Sequence, residues 1–222
     1  MQPWIELDTA TVPGDGGQLR LKRRGDEFSI MAGATELMNS RLSGSEEALA
    51  RLACDRIRGR ANPKILIGGL GMGFTLRAAL AETGNDAEIT VAELVPAVIA
   101  WARGPLAPIF AGSLDDARTR IHEGDVGDLI STGGWDAILL DVDNGPEGLT
   151  REENDSLYGY EGLAAAHRAL RPGGVLAVWS SHQSPGFTRR LRACGYAVEE
   201  VATRARGKRG ARHVIWIAAK PG

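Results

Sequence analysis

Gly68-Gly69-Leu70-Gly71-Met72-Gly73 follows directly on the apolar run Ile65-Leu66-Ile67, and Glu93 ends a second apolar run twenty residues beyond Gly73. Glycines at a strand-to-helix turn let the backbone pass close to a nucleotide. An acid at the tip of the next strand can accept hydrogen bonds from both hydroxyls of a ribose. Two more acids continue the series. Asp125 follows the run Thr119–Glu123, where a carboxylate can receive a hydrogen bond from an adenine amino group. Asp141 ends the apolar run Trp135-Asp136-Ala137-Ile138-Leu139-Leu140, with Asp143 two residues beyond it. A carboxylate at such a strand tip can orient a bound group or accept a proton.

The elements that must position these residues alternate in type. Strands are expected at 64–68, 88–93, 119–123, 136–141, 174–179, 196–203 and 212–219, and helices at 73–83, 95–102, 126–131, 160–170 and 185–194. This rhythm calls for right-handed crossovers and a doubly wound, mostly parallel seven-stranded sheet covered on both faces. The last two strands leave no room for a helix between them, so they form an antiparallel C-terminal hairpin. Arg204, Arg206, Lys208, Arg209 and Arg212 crowd that hairpin and read as its solvated tip. Residues 1–42 differ in character: short alternating runs broken by Pro13-Gly14-Asp15-Gly16-Gly17 predict a small N-terminal β extension of two or three antiparallel strands. The main domain then spans 43–222, opening with a helix at 45–58 that Ser43 and Glu46 would start as a capping pair. The polar link Met38–Gly44 is placed to close over a bound nucleoside.

Composition bounds the function. The 222 residues are 43% apolar and 24% charged, with a formal net charge of −2, which suits a globular domain and argues against nucleic acid or an anionic membrane as partner. Cys54 and Cys194 show no ligand or disulfide spacing, and no metal site is expected. The N-terminus lacks a basic stretch followed by an apolar one, and no apolar run approaches the roughly 20 residues of a membrane span. A cytoplasmic protein is the expectation.

The ordered set of glycine turn, Glu93, Asp125, Asp141 and Leu170-Arg171-Pro172-Gly173-Gly174 resembles the class I S-adenosylmethionine (SAM)-dependent methyltransferase fold. Within that fold it is similar to the spermidine synthases, most visibly in Thr75-Leu76-Arg77 after the glycines, the Asp-ended fourth strand and Leu157-Tyr158. The resemblance covers roughly Ile65 to Val178. It implies SAM or decarboxylated SAM as cofactor. Gly69, Gly71, Met72 and Gly73 would lie along its amino-acid end, Glu93 and Leu94 at the ribose, and Asp125 and Val126 at the adenine. Asp141 would also touch it, and Asp141 and Asp143 would serve catalysis. A homodimer is also implied.

Two departures from the family shape the functional expectation. Met72 stands where its aminopropyltransferases carry an aspartate facing the cationic end of decarboxylated SAM, and a methionine cannot pair with an ammonium. The helix expected at 45–58 offers Glu46-Glu47-Ala48-Leu49-Ala50-Arg51 in place of the family's Tyr and further acids. Methyl transfer from SAM to a small nucleophile is therefore expected. The alternatives are aminopropyl transfer from decarboxylated SAM to an amine, and a non-catalytic protein that binds SAM or methylthioadenosine.

Overall fold

A computed structural model of the chain describes residues 2–14, 17–142, 145–146, 157–206 and 209–222. Four strands open it as an antiparallel meander: β1 (Ile5–Thr11), β2 (Gln18–Arg24), β3 (Glu27–Ala32) and β4 (Thr35–Asn39), paired in that order. β4 falls within a stretch that the sequence reads partly as a polar link. Thr35-Glu36-Leu37-Met38-Asn39 lacks clean alternation, but β3 offers it a partner edge, with Ser29 opposite Asn39 and Ala32 opposite Thr35.

Helix α1 (Gly44–Arg56) leads into a seven-stranded sheet of order β10-β11-β9-β8-β5-β6-β7. Its strands are β5 (Lys64–Gly68), β6 (Glu88–Glu93), β7 (Thr119–Glu123), β8 (Trp135–Leu140), β9 (Leu170–Ser180), β10 (Ala197–Arg206) and β11 (Arg209–Ala219). β7, β6, β5, β8 and β9 run parallel, while β11 is antiparallel to both β9 and β10. The expected doubly wound sheet with an antiparallel terminal hairpin is thus present. Helices α2 (Phe74–Glu82), α3 (Pro96–Arg103), α4 (Ala107–Phe110), α5 (Val126–Thr132), α6 (Tyr160–Ala169) and α7 (Pro185–Ala193) complete the described elements.

Apolar runs form the central strands because both sheet faces are covered. Ile65, Ile67, Ala137 and Leu139 face one core, shared with α1, α2 and α3 and with Leu19, Leu21, Phe28 and Ile30 of the meander. Leu66, Ile138 and Leu140 face the other, with Val126 and Ile130 of α5, Leu163 of α6 and Phe187 of α7. The meander is therefore part of the main core, and a hydrogen bond from Trp101 Nε1 on α3 to Asp8 Oδ2 on β1 (2.7 Å) ties it further.

The Pro-Gly-Gly segment is absorbed into β9 as an irregularity. Trp135 pairs with Leu170, but Ala137 pairs with Val175, so Arg171 to Gly174 bulge out between them. Below this bulge, Asp136 is almost wholly buried. It accepts hydrogen bonds from Arg60 Nη1 (2.6 Å), the Lys64 backbone amide (2.8 Å) and Arg171 Nη1 (2.9 Å).

After β5 the chain winds outward through β6 and β7, then returns to place β8 on the other side of β5. The carboxyl ends of β5 and β8 therefore meet at a topological switch point, where open α/β sheets form their ligand crevices. No described helix is long and apolar enough to cross a membrane.

Candidate functional site

At the switch point, the backbone amide of Asp141 donates to the Gly68 carbonyl, and that of Gly69 donates to the Ala92 carbonyl, each at 2.9 Å. The chain turns at Gly69 with φ +90°, and a Cβ there would sit 2.6 Å from the Asp141 carbonyl oxygen. Gly73, at φ +76°, caps α2; a side chain on it would fall on the Phe110 ring, which α4 brings underneath. Two glycines of the turn are thus required by the protein's own packing. Either strain costs about 1–3 kcal/mol if a side chain is added.

A cavity of about 150 Å³ lies over this turn. Gly69, Gly71, Glu93, Leu94, Asp125, Val126 and Asp141 all line it, as the sequence reading expects. Its opposite wall is apolar and comes from the meander, including Leu19, Ile30, Leu37 and Met38. Met38 is the one residue of the 38–44 link that lines this wall. It belongs to β4, and its Sδ would be 3.1 Å from a Cβ on Gly71.

Glu93 is buried, and each carboxylate oxygen already holds one backbone amide: Oε1 that of Val95 (2.9 Å) and Oε2 that of Leu70 (3.0 Å). Burial pushes its carboxyl above the ordinary value, and these amides pull the other way. The Gly71 and Leu94 amides bear on the carboxylate as well, so a ribose diol at this strand tip would share it with the backbone of the turn. Asp125 caps α5, its Oδ1 accepting from the Gly127 amide at 2.7 Å. The cap engages Oδ1, so the carboxylate can cap the helix through that oxygen and accept from a ligand through Oδ2. The residues present thus fit an adenosyl group: acids at two strand tips, a side-chain-free floor and an apolar roof.

A second cavity, of about 80 Å³, adjoins the first and shares Gly71, Leu37, Met38 and Asp141 with it. Met72, Gly73, Phe74, Trp179 and Glu46 complete much of its wall. Met72 lines this second cavity and not the first, so the loop's apolar residue faces away from the nucleoside end. Asp141 Oδ2 accepts from Thr75 Oγ1 on the first turn of α2 at 2.7 Å. Loss of water pushes the Asp141 carboxyl up to about 7, and the nearby Glu46 carboxylate adds to the rise. Glu46 is raised as well, chiefly by its removal from water. Asp143 lies outside the described residues.

Glu46 is the site residue that sequence reasoning missed. The capping pair expected of Ser43 and Glu46 does not form, since Ser43 makes no side-chain hydrogen bond at the helix start. Glu46 instead accepts from Ser45 Oγ at 2.7 Å, and His213 Nδ1 on β11 lies 2.9 Å from that same hydroxyl. The start of α1 is thereby held over the top of the sheet, and Glu46 is delivered into the cavity that Met72 lines. A glutamate within the first turn, two residues before the apolar face opens at Ala48, was the available signal.

No family model matches the chain. The polyamine aminopropyltransferase of Mycobacterium tuberculosis is 36% identical over 146 residues, 60% of this chain. The aligned stretch is 27% of that relative, so the chain matches about a quarter of its length. The spermidine synthase of Thermotoga maritima superposes with a TM-score of 0.76 at 18% identity, covering 97% of this chain and 72% of the other. TrmN from Thermus thermophilus gives a TM-score of 0.58 at 21% identity, over 79% of this chain and 48% of the other. The fold is the class I methyltransferase-like fold in its spermidine synthase-like form. These findings overturn the expectation of methyl transfer, because both the sequence relative and the better-matching structure are polyamine-synthesising proteins by name. The physical basis of that expectation also fails: the cavity beside Met72 is not short of acid, since Glu46 enters it from α1.

Proposed function

We propose that the chain is an aminopropyltransferase that binds decarboxylated SAM over the glycine turn and transfers its aminopropyl group to a small amine. The adenosyl part lies in the larger cavity, with Glu93 and Leu94 at the ribose, Asp125 and Val126 at the adenine, and Gly69 and Gly71 beneath the sulfonium end. Residues 43–222 supply the floor and the acids, and residues 1–42 the apolar roof.

In the reaction, the amine's lone pair forms a C–N bond to the carbon next to sulfur. The C–S bond breaks with its electron pair going to sulfur, which leaves as neutral methylthioadenosine. The amine loses one proton, and Asp141 is placed to orient that amine and take the proton. In-line alignment of the two reactants supplies much of the remaining acceleration.

The observation that carries this reading is Asp141 itself. It stands where the two cavities join, fixed by Thr75 and by the β5–β8 pairing, and no Lys or Arg is among the described residues lining either cavity. A base working near neutral pH needs this kind of environment. The relative's name supports the same reading. Incubation with decarboxylated SAM and a panel of mono- and diamines tests it. Methylthioadenosine should accumulate only when both reactants are present, and its absence with every amine defeats the proposal.

A further inference from the structure

We infer that Glu46, beside Asp141, holds the primary ammonium of the aminopropyl group, so that helix α1 supplies the carboxylate that the glycine loop lacks at Met72. This inference rests on the proposed function and names the residue that selects its donor.

Three observations carry it. First, the small cavity adjoins the nucleoside cavity, with Gly71 and Asp141 in the wall of both, so it lies within reach of a short chain leaving a sulfonium over the glycine turn. Second, its wall pairs two carboxylates with apolar groups. Glu46 and Asp141 provide the acids, and Met72, Phe74, Leu37 and Trp179 provide surfaces for methylenes. A three-carbon chain ending in a cation has this same division of chemistry. Third, among the described residues no Lys or Arg lines the cavity to balance the two acids. Asp141 receives Thr75, and Glu46 receives Ser45, which are neutral donors. The other charged group bearing on Glu46 is Glu47, which adds like charge, and His213 from β11 reaches the pair only through Ser45. Removal from water raises both carboxyls, and Glu46 adds to the rise of Asp141, so a cation arriving between them meets acids that no protein group among the described residues has neutralised.

Glu46 is a binding residue in this assignment, and its signature is a preference among nucleosides. Methylthioadenosine carries the same adenosyl group without the ammonium, and SAM adds a carboxylate beside it. Titration calorimetry on the intact chain should give decarboxylated SAM an affinity at least about tenfold above methylthioadenosine, as charged hydrogen bonds at a buried site provide. SAM should bind more weakly than its decarboxylated form, because its carboxylate meets the acids.

An arriving cation also lowers the pKa of both carboxyls, so binding releases protons. Repeating the titration in two buffers of different ionisation enthalpy should show more proton release with decarboxylated SAM than with methylthioadenosine. Glu46→Gln should abolish most of the preference and of the excess proton release. Unchanged methylthioadenosine affinity serves as the measure that the variant is folded. Equal wild-type affinity for the two nucleosides overturns the inference while leaving the nucleoside site standing. A preference for decarboxylated SAM that survives Glu46→Gln overturns it too. If none of the three nucleosides binds, the proposed function falls first.

Discussion

Asp136 and Asp141 are five residues apart on one strand and its continuation, yet their surroundings are opposite. Asp136, at the amino end of β8, is met by two guanidinium groups and a backbone amide. Asp141, past the carboxyl end, is met by one hydroxyl and another acid, and its carboxyl is pushed up. A parallel sheet gives its two edges different work. The end where strands begin can be closed with complementary charge, because nothing must enter there. The end where they finish keeps an acid short of partners, a cost to stability that is recovered only when a ligand arrives.

The comparison can be broken most sharply at Asp141. Asp141→Asn removes the proton acceptor while keeping the shape, and turnover should fall by about 10²–10⁴ if that group is the base. Methylthioadenosine release measures it, and a loss below tenfold would leave Asp141 as an orienting group only. The next largest effect lies at the other end. Asp136→Ala should destabilise the fold by about 3 kcal/mol, the low end for a broken buried ion pair because both arginines retain water. Urea unfolding gives the value, and the folded fraction should bind nucleoside as before.

The pH dependence of stability then separates the two acids. Because the folded-state pKa of Asp141 is raised, the folded chain holds a proton that the unfolded chain has already lost between its ordinary value of 3.8 and about 7. Its contribution is therefore most favourable below that window and is lost as pH rises through it. Asp141→Asn should be more stable relative to wild type at pH 8 than at pH 5. A constant difference across that range would contradict the assignment of the raised value. The smallest effect is expected for Arg171→Met, about 1 kcal/mol by urea unfolding, since Arg60 and the Lys64 amide still satisfy Asp136 and Arg171 is largely exposed.

The sheet was legible in the sequence because its strands are apolar runs closed by Gly, Pro or an acid, and parallel strands buried on both faces leave that trace. The cavity at the switch point was legible for the same reason: Gly69, Glu93, Asp125 and Asp141, which line it, sit at strand ends whose positions follow from the runs. β4 was not read as a strand, because its five residues neither alternate nor form an apolar run, and only the waiting edge of β3 makes them extended. Glu46 was legible as a helix-start residue and illegible as a cavity residue. Its direction depends on where α1 lands on the sheet, a tertiary fact that local spacing does not encode. The emphasis on Met72 as a missing charge discounted Glu46, which the sequence reading placed on the first helix but which lines the same cavity as Met72.

The clamp around Asp136 has a consequence for how the molecule comes apart. Its partners Arg60, Lys64 and Arg171 stand far from it along the chain, separated by 76, 72 and 35 residues. Such contacts close long loops and reward the chain only after most of the sheet is assembled. They belong to the descent side of the folding barrier, so weakening the clamp should speed unfolding while leaving the refolding rate nearly unchanged. Asp136 would then act as a latch on the finished molecule, setting how long each chain stays folded more than how fast it gets there.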